Sequence, residues 1–184
     1  MLWTRRISIV GWLSLGPSLL MFGRPQTAPP APPPDTSLNL TASSFRANRE
    51  IPARFSCDGD DASPALSWGE PPAGTRSFAL AVVDPDASNF VHWIIYDLPA
   101  STRDLPEGIA QGPDAAGGHQ GTNGFGNTGY NGPCPPPGNG HRYVFRLFAL
   151  DATLNLKRAT VQDLQSAMKG HILARGEVVG LFRR

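Results

Sequence analysis

The sequence lacks the motifs that identify many enzymes and metalloproteins directly. It contains no G-x-S-x-G motif, and no serine stands out as a positioned nucleophile, which argues against Ser-His-Asp chemistry. It has only two cysteines, Cys57 and Cys134, and their spacing matches no zinc motif. Internal repeats are also missing. The chemistry therefore has to be sought in polar residues that are distant in sequence.

An excess of charge of one sign is missing as well. Residues 35–184 hold 13 Lys and Arg against 15 Asp and Glu, a net charge of −2, and the basic residues are scattered. No basic patch with interleaved aromatic residues occurs, so nucleic acid is not an expected partner.

The longest apolar run covers 16 residues, 7–22, and contains glycine and proline. A membrane-spanning helix needs about 20 apolar residues. A basic segment at Arg5 and Arg6 followed by a short apolar region is typical of a signal peptide. Residues 1–23 are therefore expected to be a signal peptide or an uncleaved N-terminal anchor, and the protein to be exported, periplasmic or extracellular. A misassigned start codon is the alternative, because no clear A-x-A cleavage site occurs.

A proline-rich segment, residues 24–36, follows the apolar run. Six of the ten residues 25–34 are proline, which favours an extended polyproline II spacer. A ligand for a proline-recognition domain is the alternative interpretation. Residues 37–184 then form one domain. In an exported protein, a single cysteine pair favours a Cys57–Cys134 disulfide, whereas two buried free thiols are the other interpretation.

Short alternating or apolar runs separated by Gly and Pro predict a mainly β protein, an antiparallel β-sandwich. The predicted strands are 38–40, 51–55, 65–68, 77–83, 91–97 and 141–150, with a final hairpin of 171–174 and 177–182. Residues 160–170 predict a helix that begins at Thr160 and ends at Gly170. Residues 106–140 predict a long loop, and loops of that length are usually functional or disordered.

The stretch DPDASNFVHWIIYD, residues 84–97, joins the two strongest strand predictions. Pro85 ends the first strand because it lacks an N–H group. Asp84 and Asp86 then lie at the mouth of a strand–turn–strand unit, and His92 lies just inside the returning strand. Side chains of this kind at a strand end commonly form a site.

A small anion pocket is the site that these residues favour. His92, His141 and the Tyr143 hydroxyl are donors, and free N–H groups of a Gly-rich loop can form an anion nest. One of the two carboxylates, Asp84 or Asp86, is expected to accept from an imidazole and fix its tautomer. The alternative is that His92 is only a core histidine.

A metal site is not expected, and no cofactor is implied. The same aspartates and histidines include no local ligand pair with i, i+4 spacing. Asp58–Asp61 resembles the start of a calcium loop, but position 12 of that loop is Gly69, where a glutamate is needed. Asp58 and Asp61 are therefore expected to be turn-formers.

Three stretches resemble the phosphatidylethanolamine-binding protein family, also called Raf kinase inhibitor-like proteins, and most of all its small bacterial and archaeal branch. They are DPDAS…FVHWIIYDLP at 84–99, GPCPPPGNGHRYVFRLFAL at 132–150 and CDGDDASPALSW at 57–68. The resemblance covers roughly residues 38–184. This chain departs from the family pattern in two places. Residues 84–88 read DPDAS where the family has DPDAP, and residues 123–126 read N-G-F-G where the family often has N-D-F-G.

The resemblance implies an antiparallel β-sandwich with one or two short helices and a small anion pocket. Carried over by motif, the pocket residues are Asp84, Asp86, His92, Gly132, Pro133, Pro135, His141 and Tyr143, with backbone from Gly132 to Pro136. It also implies a phosphate-like or phospholipid head-group ligand and, in some members, inhibition of a kinase or protease. The C-terminal helix of eukaryotic members is expected to be absent, which leaves the pocket more open or covered by a second subunit of a homodimer.

The sequence thus predicts a non-catalytic anion-binding module, exported or tethered to a membrane by residues 7–22. An enzyme is the first alternative, a hydrolase with His92 or His141 as general base. The second alternative is a protein-interaction inhibitor of a kinase or protease, in which the loops bind the target.

Overall fold

Two β-sheets and one α-helix form the part of the chain that the computed structural model describes, residues 37–184. The predicted signal segment and linker, residues 1–36, lie outside the described residues. The strands are β1 Thr41–Ala42, β2 Arg49–Glu50, β3 Leu66–Ser67, β4 Ser77–Asp84, β5 Phe90–Pro99, β6 Asp104–Leu105, β7 Asp114–Ala115, β8 Gly118–Gln120, β9 His141–Leu150 and β10 Ile172–Phe182. The seven-stranded sheet has the order β2-β10-β9-β4-β5-β8-β7, and the three-stranded sheet has the order β1-β3-β6. All pairs between these strands are antiparallel except β2 with β10, which confirms the predicted fold class.

Strand β4 is central to the larger sheet, and every one of its residues is buried. Because side chains alternate along a strand, Phe78, Leu80 and Val82 pack into the core that also contains residues of the smaller sheet. Ala79 and Ala81 point to the opposite face, where they pack in a second core with residues of the helix. The larger sheet is therefore covered on one face by the smaller sheet and on the other by the helix.

The α-helix, Val161–Met168, forms as the sequence predicts. The Thr160 side chain accepts from the backbone N–H of Asp163, and the Asp163 carboxylate accepts from the backbone N–H of Thr160, which is a capping box. Gly170 follows the helix with a φ of +84°, a conformation that favours glycine. Leu164 and Met168 form its buried face.

The predicted C-terminal hairpin is wrong. Residues 172–182 form one strand, and Gly176 pairs with Leu147 in the middle of it. A Cβ atom at Gly176 would lie about 3.0–3.1 Å from the Cβ atoms of Leu38 and Leu40. This glycine is needed because another segment of backbone approaches closely, a second reason for glycine in a strand besides a turn.

Two of the shorter strand predictions are also wrong in detail. The N-terminal strand is Thr41–Ala42 and not 38–40, although Leu38 and Leu40 are both buried as their alternation predicts. Residues Ala53–Phe55 form a 3₁₀ turn and not a strand. Apolar residues four apart, here Ile51 and Phe55, fit one helical turn as well as a strand. The predicted loop 106–140 is correct except for the short strands β7 and β8.

Candidate functional site

A small cavity of about 210 Å³ lies where β4 ends and where β5 and β9 begin. Its wall combines two imidazoles, one carboxylate and one phenol with aromatic rings and prolines. The lining residues are Asp84, Ala87, Phe90, His92, Phe125, Cys134, Pro135, Pro136, His141 and Tyr143. Because β4 pairs antiparallel with both β5 and β9, the end of β4 lies beside the starts of β5 and β9. Five of the residues predicted from sequence therefore lie together in one wall: Asp84, His92, Pro135, His141 and Tyr143.

Asp84 is the fixed carboxylate of this cavity, with a side chain only 3% exposed. Its Oδ1 accepts from the backbone N–H groups of Asp86 at 2.9 Å and Ala87 at 3.1 Å, and so caps the 3₁₀ turn Pro85–Ala87. Its Oδ2 lies 2.7 Å from Nδ1 of His141. Both carboxylate oxygens are thus occupied, and the prediction that Asp84 or Asp86 accepts from an imidazole holds for Asp84.

His141, the first residue of β9, has its proton position determined by this contact. A carboxylate can only accept, so His141 carries a hydrogen on Nδ1 and donates it to Asp84. Its Nε2 has no hydrogen-bond partner within residues 37–184. The side chain is 17% exposed, in keeping with a position at the cavity wall.

His92 is held from the opposite side by backbone carbonyls. Its Nδ1–H donates to the carbonyl oxygens of Asn131 at 2.8 Å and Gly132 at 3.0 Å. The residue is buried, and this burial lowers the pKa of His92, against the opposing effects of these carbonyls and of the Asp84 charge. As with His141, the ring nitrogen without a partner in the described chain is Nε2.

A β-bulge aims His92 into the cavity. Val82 pairs with Trp93 and Val83 with Val91, so His92 is an extra residue between two ladder positions. Strict alternation would place His92 and Trp93 on opposite faces of the sheet. Because of the bulge, the His92 ring instead lies 5.1 Å from the ring of Tyr143, which packs in the same core as Trp93.

The Tyr143 hydroxyl is buried and makes no hydrogen bond of normal geometry within residues 37–184, although the Asp84 carboxylate and the Cys134 backbone lie close enough to affect its pKa. Buried polar groups are nearly always paired, so such a group needs an explanation. Burial and the nearby negative charge of Asp84 raise the pKa of Tyr143, which keeps the hydroxyl protonated and able to donate. An acceptor entering the cavity would give this hydroxyl a better-aligned partner than Asp84 or Cys134 does.

Asp86 does not face the cavity. Its carboxylate accepts hydrogen bonds from the Arg142 side chain, with Oδ1 2.7 Å from Nη2 and Oδ2 3.1 Å from Nε. Oδ2 also accepts from the Arg142 backbone N–H at 2.8 Å. These hydrogen bonds from Arg142 lower the pKa of Asp86 to about 2. Asp86 therefore ties the 3₁₀ turn to the start of β9 and supports the cavity from outside.

The backbone of Gly132 and Pro133 contributes carbonyl groups and not free donors. The Gly132 N–H donates to Oδ1 of Asp61 at 2.6 Å, and the Pro133 carbonyl accepts from the N–H of Cys57 at 3.1 Å. Neither residue lines the cavity, in contrast to Pro135. The predicted nest of free N–H groups is therefore wrong at Gly132, because an aspartate already occupies that donor.

The loop whose Asn131 and Gly132 carbonyl groups bind His92 is fixed to the segment around residue 57. A disulfide joins Cys57 to Cys134 across 77 residues, with Cα atoms 5.4 Å apart. Asp61, expected only as a turn-former, also accepts from the Asn131 side chain at 2.9 Å. The sequence does not reveal this role, because both partners of Asp61 are distant in sequence and bind it through a backbone or amide N–H.

Two phenylalanines complete the rim, and neither was predicted as a site residue. The Phe90 and Phe125 rings lie 4.8 Å apart in an edge arrangement, and Phe125 is also 5.6 Å from the His92 ring. Phe125 is 47% exposed, although it is a large apolar side chain. The N-G-F-G stretch at 123–126 was the available signal, but it identifies the segment and not the contact with His92.

Three larger cavities of about 430, 350 and 340 Å³ lie elsewhere on residues 37–184. None of them combines two imidazoles with a buried carboxylate and an unpartnered hydroxyl, so size alone does not identify the site. Among the described residues, no group of three or more His, Cys, Asp or Glu is placed to hold a metal ion. The one α-helix in this range is too short and polar to cross a membrane.

Comparisons with known proteins agree with this architecture. A sequence model described as phosphatidylethanolamine-binding protein matches residues 41–183. A UPF0098 protein of Aquifex aeolicus is 44% identical over 152 residues, 80% of this chain and 89% of the relative. The UPF0098 protein YbhB of Escherichia coli is 39% identical over 163 residues, 79% of this chain and 99% of the relative.

Solved structures resemble the fold as well. The putative phosphatidylethanolamine-binding protein homologue CT736 of Chlamydia trachomatis superposes with a TM-score of 0.74 at 36% identity, covering 80% of this chain and 98% of that one. E. coli YbcL, described as a new member of the mammalian PEBP family, has a TM-score of 0.74 at 27% identity, covering 81% and 99%.

Proposed function

The chain belongs to the phosphatidylethanolamine-binding protein family, and we propose that residues 37–184 form a non-catalytic binding module for a phosphate-like or phospholipid head group. The observation that carries this proposal is the pair of histidines whose Nδ1 atoms are both occupied by the protein while both residues line one cavity. An imidazolium at either position would present Nε2–H to an anion. The unpartnered Tyr143 hydroxyl supplies a further donor.

The size of the cavity agrees with a head group. About 210 Å³ accommodates a tetrahedral oxyanion with a short substituent, and is smaller than the 300–1,000 Å³ typical of drug-sized ligands. The exposed Phe125 ring at the rim would contact whatever substituent extends out of the cavity. Hydrogen bonds to charged groups are each worth about 1.5–3 kcal/mol, so two or three of them suffice for measurable affinity.

The absence of a nucleophile favours binding over catalysis. Among the lining residues the only hydroxyl is that of Tyr143, which is held protonated, and the only cysteine is in a disulfide. The specific observation that favours a hydrolase is the Asp84–His141 hydrogen bond, because a carboxylate often orients a general base in this way. A hydrolase would then have to activate water directly with His141.

Calorimetric titration with inorganic phosphate at pH 6 tests the proposal. We expect binding by the wild type and a loss of about tenfold or more for His141→Ala. His171→Ala is the matched control, because Nδ1 of His171 is also 2.7 Å from an aspartate, Asp151, but lies outside the cavity. Unchanged affinity in His141→Ala, or no binding by the wild type, would refute the pocket. Turnover of a panel of phosphoesters that is lost in His141→Ala would favour the hydrolase.

We also propose that the protein is exported, with residues 1–23 as signal peptide or anchor. A disulfide with both cysteines exposed at the surface suits an oxidising compartment. N-terminal sequencing of the mature protein should begin beyond Gly23. Recovery of intact Met1 from the soluble cytosol would remove the export proposal. Co-purification of a kinase or protease with the domain would favour the inhibitor alternative.

A further inference from the structure

The hydrogen bonds of His92 determine what its free nitrogen can do. Both partners of Nδ1 are backbone carbonyls, of Asn131 and Gly132, and a carbonyl can only accept. Nδ1 therefore carries a hydrogen in the neutral ring as well as in the charged one. In the neutral ring, Nε2 therefore carries a lone pair and can only accept a hydrogen bond. It faces a cavity whose other polar groups are proposed as donors to an anion.

We propose that the pocket selects a tetrahedral oxyanion that carries its own proton, a hydrogen phosphate group, over one that carries none, such as sulfate. A P–OH group donates to Nε2 of neutral His92, while the other oxygens accept from the Tyr143 hydroxyl and from Nε2–H of an imidazolium at His141, whose charge the Asp84 carboxylate balances. This inference rests on the proposed function and narrows its ligand class to inorganic phosphate and phosphomonoesters, because a phosphodiester such as a phospholipid head group carries no P–OH near neutral pH. No covalent bond changes, and the shared proton stays between the ligand oxygen and Nε2.

The two histidines differ in the groups that their Nδ1 atoms contact. An imidazolium at His141 has the Asp84 carboxylate 2.7 Å away, whereas an imidazolium at His92 has only neutral carbonyls in direct contact. The charged groups that influence His92 are Asp84 at the end of β4 and Asp61, whose carboxylate accepts from the Gly132 N–H. The remaining ionisable groups on the same side are His141 and Tyr143 of β9. Burial opposes the charge on His92 and outweighs these carboxylates, so the neutral ring is the state that a ligand meets near neutral pH.

Sulfate is disfavoured in this arrangement for a specific reason. It has no hydrogen to donate, so one of its oxygens must either face the Nε2 lone pair or wait for a proton to bind His92. The first alternative leaves two acceptors opposed in a buried site, and the second must overcome the burial that keeps the ring neutral. A hydrogen phosphate dianion has the same shape and charge and avoids both costs.

The test compares inorganic phosphate with sulfate on the purified protein by calorimetry at pH 7.5, where both are mainly dianions. We expect phosphate to bind about tenfold or more tightly than sulfate. Repeating the titrations in buffers of different ionisation enthalpy should show that sulfate takes up about one more proton than phosphate. This second readout needs no variant and is independent of any effect of substitution on folding.

His92→Gln tests whether His92 is the discriminating residue. An amide can present either its oxygen or its N–H to the ligand, so the phosphate-to-sulfate ratio should fall towards one while both anions still bind. His171→Gln, a histidine outside the cavity, should keep the ratio of the wild type. Equal affinities for the two anions in the wild type, or a ratio that His92→Gln leaves unchanged, would overturn this inference and leave the anion pocket standing. Binding of neither anion would overturn the pocket itself.

Discussion

His141 Nδ1 lies 2.7 Å from Asp84 Oδ2, and the other oxygen of the same carboxylate caps the 3₁₀ turn that follows β4. One buried side chain thus fixes both the local backbone and the orientation of an imidazole 57 residues away. The carboxylate cannot swing away from His141 without losing the cap. The imidazole is consequently held ready before any ligand arrives, which lowers the entropic cost of binding.

Asp84→Asn should shift the pH profile of sulfate binding. The amide is also a good N-cap residue, so the turn is retained, but the negative charge of Asp84 that favours protonation of His92 is lost. We expect sulfate affinity to fall with rising pH in both proteins, with the midpoint at lower pH in Asp84→Asn. Calorimetry from pH 5 to 8 measures this shift.

Asp86→Asn is the matched control for that experiment, because Asp86 is bonded to Arg142 and does not line the cavity. Its profile should coincide with that of the wild type. A flat profile in the wild type, or equal shifts in the two variants, would show that Asp84 does not govern charge at the site.

The sequence identified the polar residues of the cavity because they belong to short motifs at strand ends. Asp84 and His92 flank one turn, and His141 and Tyr143 open β9; their donor and acceptor chemistry and the family resemblance, and not a predicted strand order, assigned them to one pocket. What it could not provide was the bulge at His92, which depends on how two strands pair and leaves no pattern in either one. The contribution of Phe125 was missed for a related reason, since it comes from a loop without periodicity.

The fold was predictable where burial is periodic and less so where backbone segments approach each other. Strands such as β4 and β9 follow directly from their apolar runs, and the helix from its capping box. Arg175-Gly176 suggested a turn by local preference, yet tertiary packing of Leu38 and Leu40 against Gly176 explains that glycine. Asp61 similarly fitted a turn-former, while its bonds to Asn131 and Gly132 are long-range contacts.

The burial of His92 should make the protein less stable in mild acid. Its pKa is lowered in the folded state, so below the unfolded value of about 6.5 the unfolded chain binds more protons than the folded one. The free energy of unfolding should therefore decrease as pH falls from 6.5 towards the folded pKa, and change no further below it. Urea denaturation between pH 7.5 and 4.5 measures this, and His92→Gln should remove part of the slope. An equal slope in the variant would assign the effect to other groups.

The Asp86–Arg142 pair should affect the pH dependence of stability at lower pH than His92 does. The pKa of Asp86 is lowered from 3.8 to about 2, so its stabilisation is fully present above pH 4 and is lost as pH falls towards 2. Because the pair is solvent-exposed, we expect a loss of at most about 1 kcal/mol for Asp86→Asn at pH 7. Wild type and variant should have converging stabilities near pH 2. A difference that persists unchanged at that pH would contradict the ion-pair explanation.

Reduction of the Cys57–Cys134 disulfide should destabilise the domain. The bond closes a loop between residues 77 apart, for which the chain-entropy model gives about 4–5 kcal/mol, and removal of native disulfides typically costs about 2–5 kcal/mol. Guanidinium denaturation of the oxidised protein and of Cys57→Ser/Cys134→Ser measures the loss. The oxidised protein should also have an intact mass two hydrogens below the reduced form. Titration of two free thiols in the native, air-oxidised protein would refute the bond.

Tyr143→Phe should weaken anion binding without weakening the fold. The Tyr143 hydroxyl is buried without a partner among the described residues, and an unsatisfied buried polar group costs about 1–3 kcal/mol. Its removal should leave the free energy of unfolding unchanged or raise it, whereas phosphate affinity should fall by about 0.5–1.5 kcal/mol, the usual contribution of a hydrogen bond. Calorimetry and urea denaturation measure the two quantities on the same protein.

Tyr130→Phe provides the opposite pattern and therefore the matched control. The Tyr130 hydroxyl is equally buried but donates to the Phe55 carbonyl at 2.8 Å, and Tyr130 does not line the cavity. Its removal leaves that carbonyl unpaired, so stability should fall by about 1–3 kcal/mol while phosphate affinity stays within error. If Tyr143→Phe instead loses stability and keeps its affinity, the Tyr143 hydroxyl has an internal structural role, and the donors of the site must be sought in the two histidines alone.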